Sequence, residues 1–317
     1  MTELEVSRIA FGTWQLGGDW GSFDEAEAIR AIRYAQRLGV NFFDTAQAYG
    51  YGASEQLLGR ALRDELNQRR HELVIATKGG LRMAGEHQVR DSSPAWLRRG
   101  VEQSLAALGV DFIDLYQVHW PDPDTPFEAT ALALQELVDE GKIRHVGVSN
   151  FAVEQMAEFA ATRPVETLQP PYHLFRREIE AEVLPYTREN DIGVLVYGPL
   201  AHGLLTSAFD EHATFPPDDW RSKSDVFRGE ALRRNVEKVR QLERFAGERG
   251  HSVSQLAVAW SLARPGVDVA IVGSRRAAHI EDSLKALELR LTAEDLAAID
   301  RIMAGAVEVG GPSPESV

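Results

Sequence analysis

The 317 residues, 44% hydrophobic and 26% charged, carry enough apolar material for a sizeable core and enough charge for a water-facing surface. A formal charge of −14 with a pI of about 5.2 excludes the basic surface that nucleic acid or an anionic membrane requires, while leaving room for a local phosphate pocket. The absence of cysteine excludes disulfides, thiolate metal sites and cysteine nucleophiles. No apolar run approaches the roughly 18 residues of a membrane span, and the opening MTELEVSRIA has no signal-peptide pattern, so the expectation is a cytoplasmic protein.

Along the chain one phrase recurs: an amphipathic stretch, a Gly or Asn break, then a short β-branched run. IAFGTWQ opens as a first strand. DEAEAIRAIRYAQRLG reads as a helix, with Asp24 and Glu27 as its N-cap pair, and VNFFDTA follows, ending near Asp44. HELVIATK ends at Lys78. A helical stretch from Pro94 to Gly109 leads into DFIDLYQVH, ending at His119. FEATALALQELVDEG precedes IRHVGVSN, ending at Asn150. VETLQPPY then closes near Tyr172, DIGVLVYGP near Pro199 and VDVAIVGS at Ser274.

Several of these runs, such as VIATK, VLVYG and VAIVG, are continuously apolar, as parallel strands covered on both faces must be. Strands alternating with helices imply parallel βαβ units, and eight in succession fit a closed α/β (β/α)₈ TIM barrel spanning residues 1–317 as one domain. Residues 201–229, with FPPDDWRSKSD, read as a long loop after the seventh strand, a place where lids form. The tail AGAVEVGGPSPESV has too little periodicity to assign and is left as a C-terminal extension.

In such a barrel the active site lies at the C-terminal ends of the strands. Asp44, Lys78, His119, Asn150, Gln169, Tyr197 and Ser274 fall there. Taken singly, each has a plain explanation: Asp44 as a helix cap, Lys78 as a solvated lysine, His119 as a satisfied core histidine, and Tyr49 in the loop AQAYGYG as packing. Together they make a carbonyl-reduction apparatus. Hydride addition to a carbonyl leaves an alkoxide that needs a proton, and tyrosine, with an ordinary pKa of about 10, is a reluctant donor. A neighbouring ammonium favours the phenolate. That ammonium, if buried, needs a carboxylate, and a histidine can hydrogen-bond and orient the carbonyl oxygen.

The runs FFDTAQAYGYGASEQLLGRAL, LVIATKGG, DLYQVHW and VGVSNF resemble the aldo-keto reductase superfamily, in order and over nearly the whole chain. The resemblance implies Tyr49 as proton donor, Lys78 as the group that tunes it, Asp44 as the partner of Lys78, and His119 as the residue that positions the carbonyl. It also implies a nicotinamide cofactor. Ser149, Asn150 and Gln169 resemble the groups that hold the carboxamide, and Tyr197 the aromatic that stacks on the ring. Gly198, Leu200 and the Gly203 turn would lie along the pyrophosphate.

IVGSRRAAHIEDSLKAL resembles the adenine end. Gly273 and Ser274 are expected to open a helix N-terminus, which favours phosphate. Arg275 and Arg276 suit a 2′-phosphate, so NADP(H) is the expected cofactor. Three positions depart from the common family pattern: His279 where Gln or Arg is usual, Asp282 where Glu is usual, and Ser283 where Asn is usual; His173 likewise replaces an Asn.

Gly50, Gly52 and Glu55 half resemble a G-x-G-x-x-G loop, but the third glycine is missing, and the segment reads as a turn that delivers Tyr49. The nine histidines show no ligand spacing, so no metal is implied. Trp14 and Trp120 are expected to wall the substrate pocket, with Trp20 and Trp220 as further contributors. The partner implied is a small carbonyl or alcohol, with no nucleic acid and no membrane; nothing in the pattern sets an oligomeric state. FGTWQLGG and YGPLAHGLL look closer to bacterial branches near the potassium-channel β-subunits than to the aldose reductase branch. Two alternatives therefore accompany the reductase: a nicotinamide-binding sensor or regulatory protein with slow turnover, and an NAD-dependent alcohol or sugar dehydrogenase.

Overall fold

The computed structural model describes residues 4–18, 22–216 and 219–313. Eight parallel strands close a barrel: β1 (Ile9–Gly12), β2 (Phe42–Asp44), β3 (Val74–Gly79), β6 (Ile113–Val118), β7 (Ile143–Ser149), β8 (Thr167–Gln169), β9 (Gly193–Tyr197) and β10 (Val269–Gly273). Each pairs with its neighbour in parallel register, and β1 closes the ring by pairing with both β2 and β10. The (β/α)₈ architecture expected from the alternating pattern is the one observed.

Helices α1 (Glu25–Arg37), α2 (Ala53–Ala61), α3 (Arg63–Gln68), α4 (Pro94–Leu108), α5 (Phe127–Asp139), α6 (Val153–Ala160) and α7 (Val183–Glu189) lie between strands, and α8 (Gly229–Gly247) and α9 (Val253–Leu262) precede β10. After it come α10 (Ala277–Leu284) and α11 (Ala293–Met303). Asp24 caps α1, its carboxylate accepting the Glu27 N–H at 3.0 Å, as the sequence pair predicts.

Strand parity explains why one mouth of the barrel is polar. Side chains alternate in and out, and the inward positions of β2, β3, β6 and β9 begin with Phe42, Val74, Ala76, Leu115 and Leu195, which form the inner core. Continuing at the same parity toward the C-terminal ends, the inward positions become Asp44, Lys78, Gln117, His119 and Tyr197. The outward positions, among them Phe43, Ile75, Tyr116, Val146 and Val194, pack under the helices as a second, larger core.

Three features differ from the sequence expectation. Between β3 and α4 an antiparallel hairpin stands over the mouth, β4 (Leu81–Ala84) with β5 (His87–Arg90), where no strands were expected. The long loop after the seventh barrel strand, β9, is broken by 3₁₀ turns at Ala201–Thr206, Trp220–Lys223 and Asp225–Phe227 before α8 begins. The helix expected to open at Gly273 and Ser274 instead begins at Ala277, with Arg276 as its N-cap. Ser274 closes the intervening turn: its hydroxyl donates to the Arg276 carbonyl at 2.6 Å and accepts the Arg276 N–H at 3.1 Å.

Candidate active site

A cavity of about 900 Å³ opens at the polar mouth. At its floor the Lys78 ammonium sits 2.6 Å from Asp44 Oδ1, donates to the Thr45 carbonyl at 2.9 Å, and lies 3.3 Å from the Tyr49 hydroxyl. Lys78 and Asp44 are buried, with side chains 1% and 3% exposed, so this is an interior ion pair. Burial pushes the Lys78 ammonium down from its ordinary value, and the Asp44 carboxylate beside it opposes that shift. The ring of Tyr49 is stacked on Trp14, with centroids 6.3 Å apart, and meets His119 edge-on at 5.7 Å. Burial, with the Lys78 charge adding to it, holds His119 well below the usual imidazole range, so it is neutral near pH 7.

Asp44 is held on its other oxygen as well. Gln169 Nε2 donates to Asp44 Oδ2 at 2.9 Å and to Gln117 Oε1 at 3.2 Å, and Gln117 Nε2 reaches Asp44 Oδ2 at 3.4 Å. Gln117 was not expected. Its signal in the sequence is parity: it is two residues before His119 and two after Leu115, and so must face the same way as both. These amide hydrogen bonds fix the end of the lysine's partner.

The residues of the expected carboxamide site come together around Asn150, which adopts a left-handed φ of 62° just beyond β7. Its Nδ2 donates to the His119 carbonyl and to Ser149 Oγ, each at 3.0 Å, and its Oδ1 accepts the Tyr197 hydroxyl at 2.9 Å. Ser149 Oγ in turn donates to the Gln169 carbonyl at 2.8 Å. Tyr197 is thereby anchored by its hydroxyl, leaving its ring against the cavity.

From Tyr197 the cavity runs past Gly198, Leu200 and Gly203 to Gly273, Arg275, His279, Asp282 and Ser283, which line its far end. The backbone at Gly198, Ala201, His202 and Gly203 is left-handed throughout, with φ of 69°, 48°, 56° and 95°, a run that turns the chain back along the cavity. Arg275 donates to the Gln15 carbonyl at 3.2 Å and covers the Phe23 ring at 5.5 Å. Asp282 accepts from Gln255 Nε2 at 2.6 Å, and Ser283 donates to the His279 carbonyl at 2.9 Å. Ser274 and Arg276 are not brought to the cavity: Ser274 closes its turn, and Arg276 faces solvent, 3.8 Å from Glu27.

At the near end Trp14 and Trp120 both line the cavity, joined by Tyr51, Met83 and Gln88, where Gln88 Nε2 donates to the Tyr51 hydroxyl at 2.8 Å. Trp220 packs on His202 and Phe227 instead, with centroids 4.8 and 5.6 Å away, and Trp20 lies outside the described residues. Gly311, Pro312 and Ser313 of the C-terminal extension close one side. Among the described residues no group of His, Asp and Glu could hold a metal ion, and no helix is long and apolar enough to cross a membrane.

Residues 8–304 match the model of the Aldo/keto reductase family. Aldo-keto reductase YhdN of Bacillus subtilis is 43% identical over 304 residues, covering 95% of this chain and 91% of its own length. The NADH-specific methylglyoxal reductase of Escherichia coli is 32% identical over 323 residues, covering 97% of each chain. The structure of the glycerol dehydrogenase AKR11B4 from Gluconobacter oxydans superposes with a TM-score of 0.89 at 40% identity, over 99% of this chain and 96% of that one.

Proposed function

The chain belongs to the aldo/keto reductase family, oxidoreductases of carbonyls and alcohols, and from that premise we propose that it reduces an aldehyde or ketone with NADP(H), Tyr49 giving the proton. The observation that carries this reading is the Tyr49 hydroxyl 3.3 Å from an ammonium that is itself held 2.6 Å from a carboxylate, at the floor of a large cavity. A phenol so placed gives up its proton more readily, because the phenolate left behind faces a positive charge. His119, being neutral, hydrogen-bonds the carbonyl oxygen without competing for that proton.

The cavity, about 900 Å³, suits a nicotinamide dinucleotide by its volume and by the polar groups along it. Gln169, with its amide nitrogen spent on Asp44 and Gln117, turns an acceptor oxygen to a carboxamide; Ser149 and Asn150 complete that site, and Tyr197 supplies a flat face. When bound, the cofactor supplies a hydride to the carbonyl carbon. At the far end Arg275 offers a guanidinium to a 2′-phosphate, and this supports NADP(H). Against it stands the related enzyme named NADH-specific. The aromatic wall of Trp14, Tyr51 and Trp120 suits a carbonyl compound with an apolar or polyol body, and the related glycerol dehydrogenase makes small hydroxyaldehydes the first to try.

The test is a panel of aldehydes, ketones and the corresponding alcohols with NADPH, NADH and their oxidised forms, followed by nicotinamide absorbance. Carbonyl reduction with NADPH faster than with NADH is expected. Turnover confined to NAD⁺ and alcohols supports the dehydrogenase reading, and tight cofactor binding without turnover the sensor.

A further inference from the structure

We infer that Glu55 is a positioning residue for this reaction: its buried carboxyl, bonded to Thr77, sets the separation of Tyr49 from Lys78. The inference rests on the roles proposed for those two residues. Tyr49 is carried on a turn and Lys78 on a strand, so no stretch of continuous secondary structure holds them 3.3 Å apart. The turn is closed at its own ends, by Tyr49 N–H to the Ala46 carbonyl at 3.1 Å and Ser54 N–H to the Tyr49 carbonyl at 3.2 Å. Gly50, at φ 61°, is pressed so closely on Gly17 that a Cβ there would stand 2.2 Å from the Gly17 carbonyl oxygen. The turn therefore moves as one piece with the start of α2.

That piece is tied to β3 at two points: before Tyr49 the Gln47 N–H donates to the Lys78 carbonyl at 3.0 Å, and beyond it the tie is made by Glu55. Glu55 is 1% exposed, in the first turn of α2, and its Oε1 accepts the Thr77 hydroxyl at 2.6 Å. Thr77 precedes Lys78 on β3, and by strand parity the two point to opposite faces, Lys78 into the barrel and Thr77 out against α2. The bond thus joins the far end of the tyrosine's turn to the backbone that carries the lysine. Ser54 makes the companion ties to β1 and β2: its hydroxyl lies 2.7 Å from Thr13 Oγ1 and 3.2 Å from Thr45 Oγ1.

Packing alone would not place a carboxyl here. Leu58, three residues on and on the same side of α2, is buried without the desolvation that burying an acid costs. Burial pushes the Glu55 carboxyl up, opposed by the Thr77 hydroxyl and by the Lys78 charge, so the acid is both costly and within reach of the lysine's field. This accounts for the half-motif Gly50, Gly52, Glu55: the two glycines shape the turn and the glutamate fastens it.

A displacement of about 1 Å in a reacting group costs on the order of 100-fold in rate. Glu55→Ala and Thr77→Val, which both break the bond, are therefore expected to lower kcat by about 10- to 100-fold with KM and NADPH affinity within about threefold of the parent. Glu55→Gln keeps an acceptor oxygen for Thr77 and is expected to recover most of that loss. A readout without turnover is the titration of Tyr49, followed by NMR of ring-labelled tyrosine and assigned with Tyr49→Phe. The charged or titratable neighbours facing Tyr49 are Lys78 from β3, Asp44 from β2, His119 after β6 and Tyr197 from β9. As Lys78 recedes, the Tyr49 midpoint should rise in Glu55→Ala and Thr77→Val and return in Glu55→Gln. The inference is overturned if the midpoint stays at the parent value in folded Thr77→Val, or if Glu55→Gln is as impaired as Glu55→Ala. If the parent reduces nothing in the panel, the reductase reading fails while the titration still decides the role of Glu55.

Discussion

Replacing Lys78 by methionine separates what the ion pair does for stability from what it does for the reaction. The substitution keeps the length of the side chain but leaves the Asp44 carboxylate buried without its cation, 3% exposed. Breaking a buried pair from one side typically costs about 3 to 5 kcal/mol. The lower end of about 3 kcal/mol is expected here, because Gln117 and Gln169 continue to hydrogen-bond the other carboxylate oxygen. The double variant Asp44→Asn/Lys78→Met removes the stranded charge and should recover most of that loss, since an amide keeps the shape and can bond the same two glutamines. Activity should not recover. Both the single and the double variant lack the ammonium 3.3 Å from the Tyr49 hydroxyl, and general acid catalysis is worth about 10² to 10⁴ in rate. Urea unfolding gives the first quantity and single-turnover reduction of a good aldehyde the second. A double variant that stays as unstable as Lys78→Met, or one that regains more than about a tenth of the parent rate, would refute the reasoning.

Tyr49→Phe should lose about 10²- to 10⁴-fold in kcat with cofactor affinity unchanged; a rate above about a tenth of the parent removes it as proton donor. Asp44→Asn should be milder than Lys78→Met at neutral pH. Asp44 is what opposes the downward push of burial on Lys78, so without it the lysine loses its proton at lower pH, and the alkaline limb of the pH–rate curve moves down. Arg275→Ala should weaken NADPH binding by about 10- to 150-fold and leave NADH nearly untouched, as measured by fluorescence quenching at fixed salt. Arg276→Ala should change either by less than about threefold, because Arg276 faces solvent beside Glu27; equal binding of both cofactors by the parent removes the phosphate reading. His202 is pushed down to about 4 by burial, then by Arg176 and Arg221, so between about pH 6.5 and 4 the unfolded chain binds the extra proton and stability falls as pH drops. Its share is at most about 3 kcal/mol, and His202→Gln should flatten that part of the urea-midpoint profile; an unchanged slope removes His202 as a source of it.

By itself the sequence determined the barrel and the level at which its chemistry sits. Runs such as VIATK and VAIVG are almost continuously apolar, which fits strands covered by helices, and the alternation of strand and helix fits parallel pairing. Asp44, Lys78 and His119 are all at or beside strand ends in the structure because the polar residue that breaks an inward apolar series is also the one at the mouth. Local pattern could not show β4 and β5. They are four residues each and half-exposed, and they are held by partners far away, such as Trp96 Nε1 donating to the Leu81 carbonyl at 3.1 Å and Gln88 bonding Tyr51. Nor could it show that Ser274 spends its hydroxyl on a turn while Arg275 reaches the cavity and Arg276 turns away; that depends on where α10, which packs on α1 and α9, begins. Gln117 joins Asp44 to Gln169 across three strands, 73 and 52 residues away in the chain, and Glu55 joins a turn to a strand 22 residues on. Such contacts exist only once the barrel closes, because closure brings the inward positions of successive strands together at one level, and no short-range periodicity carries that information.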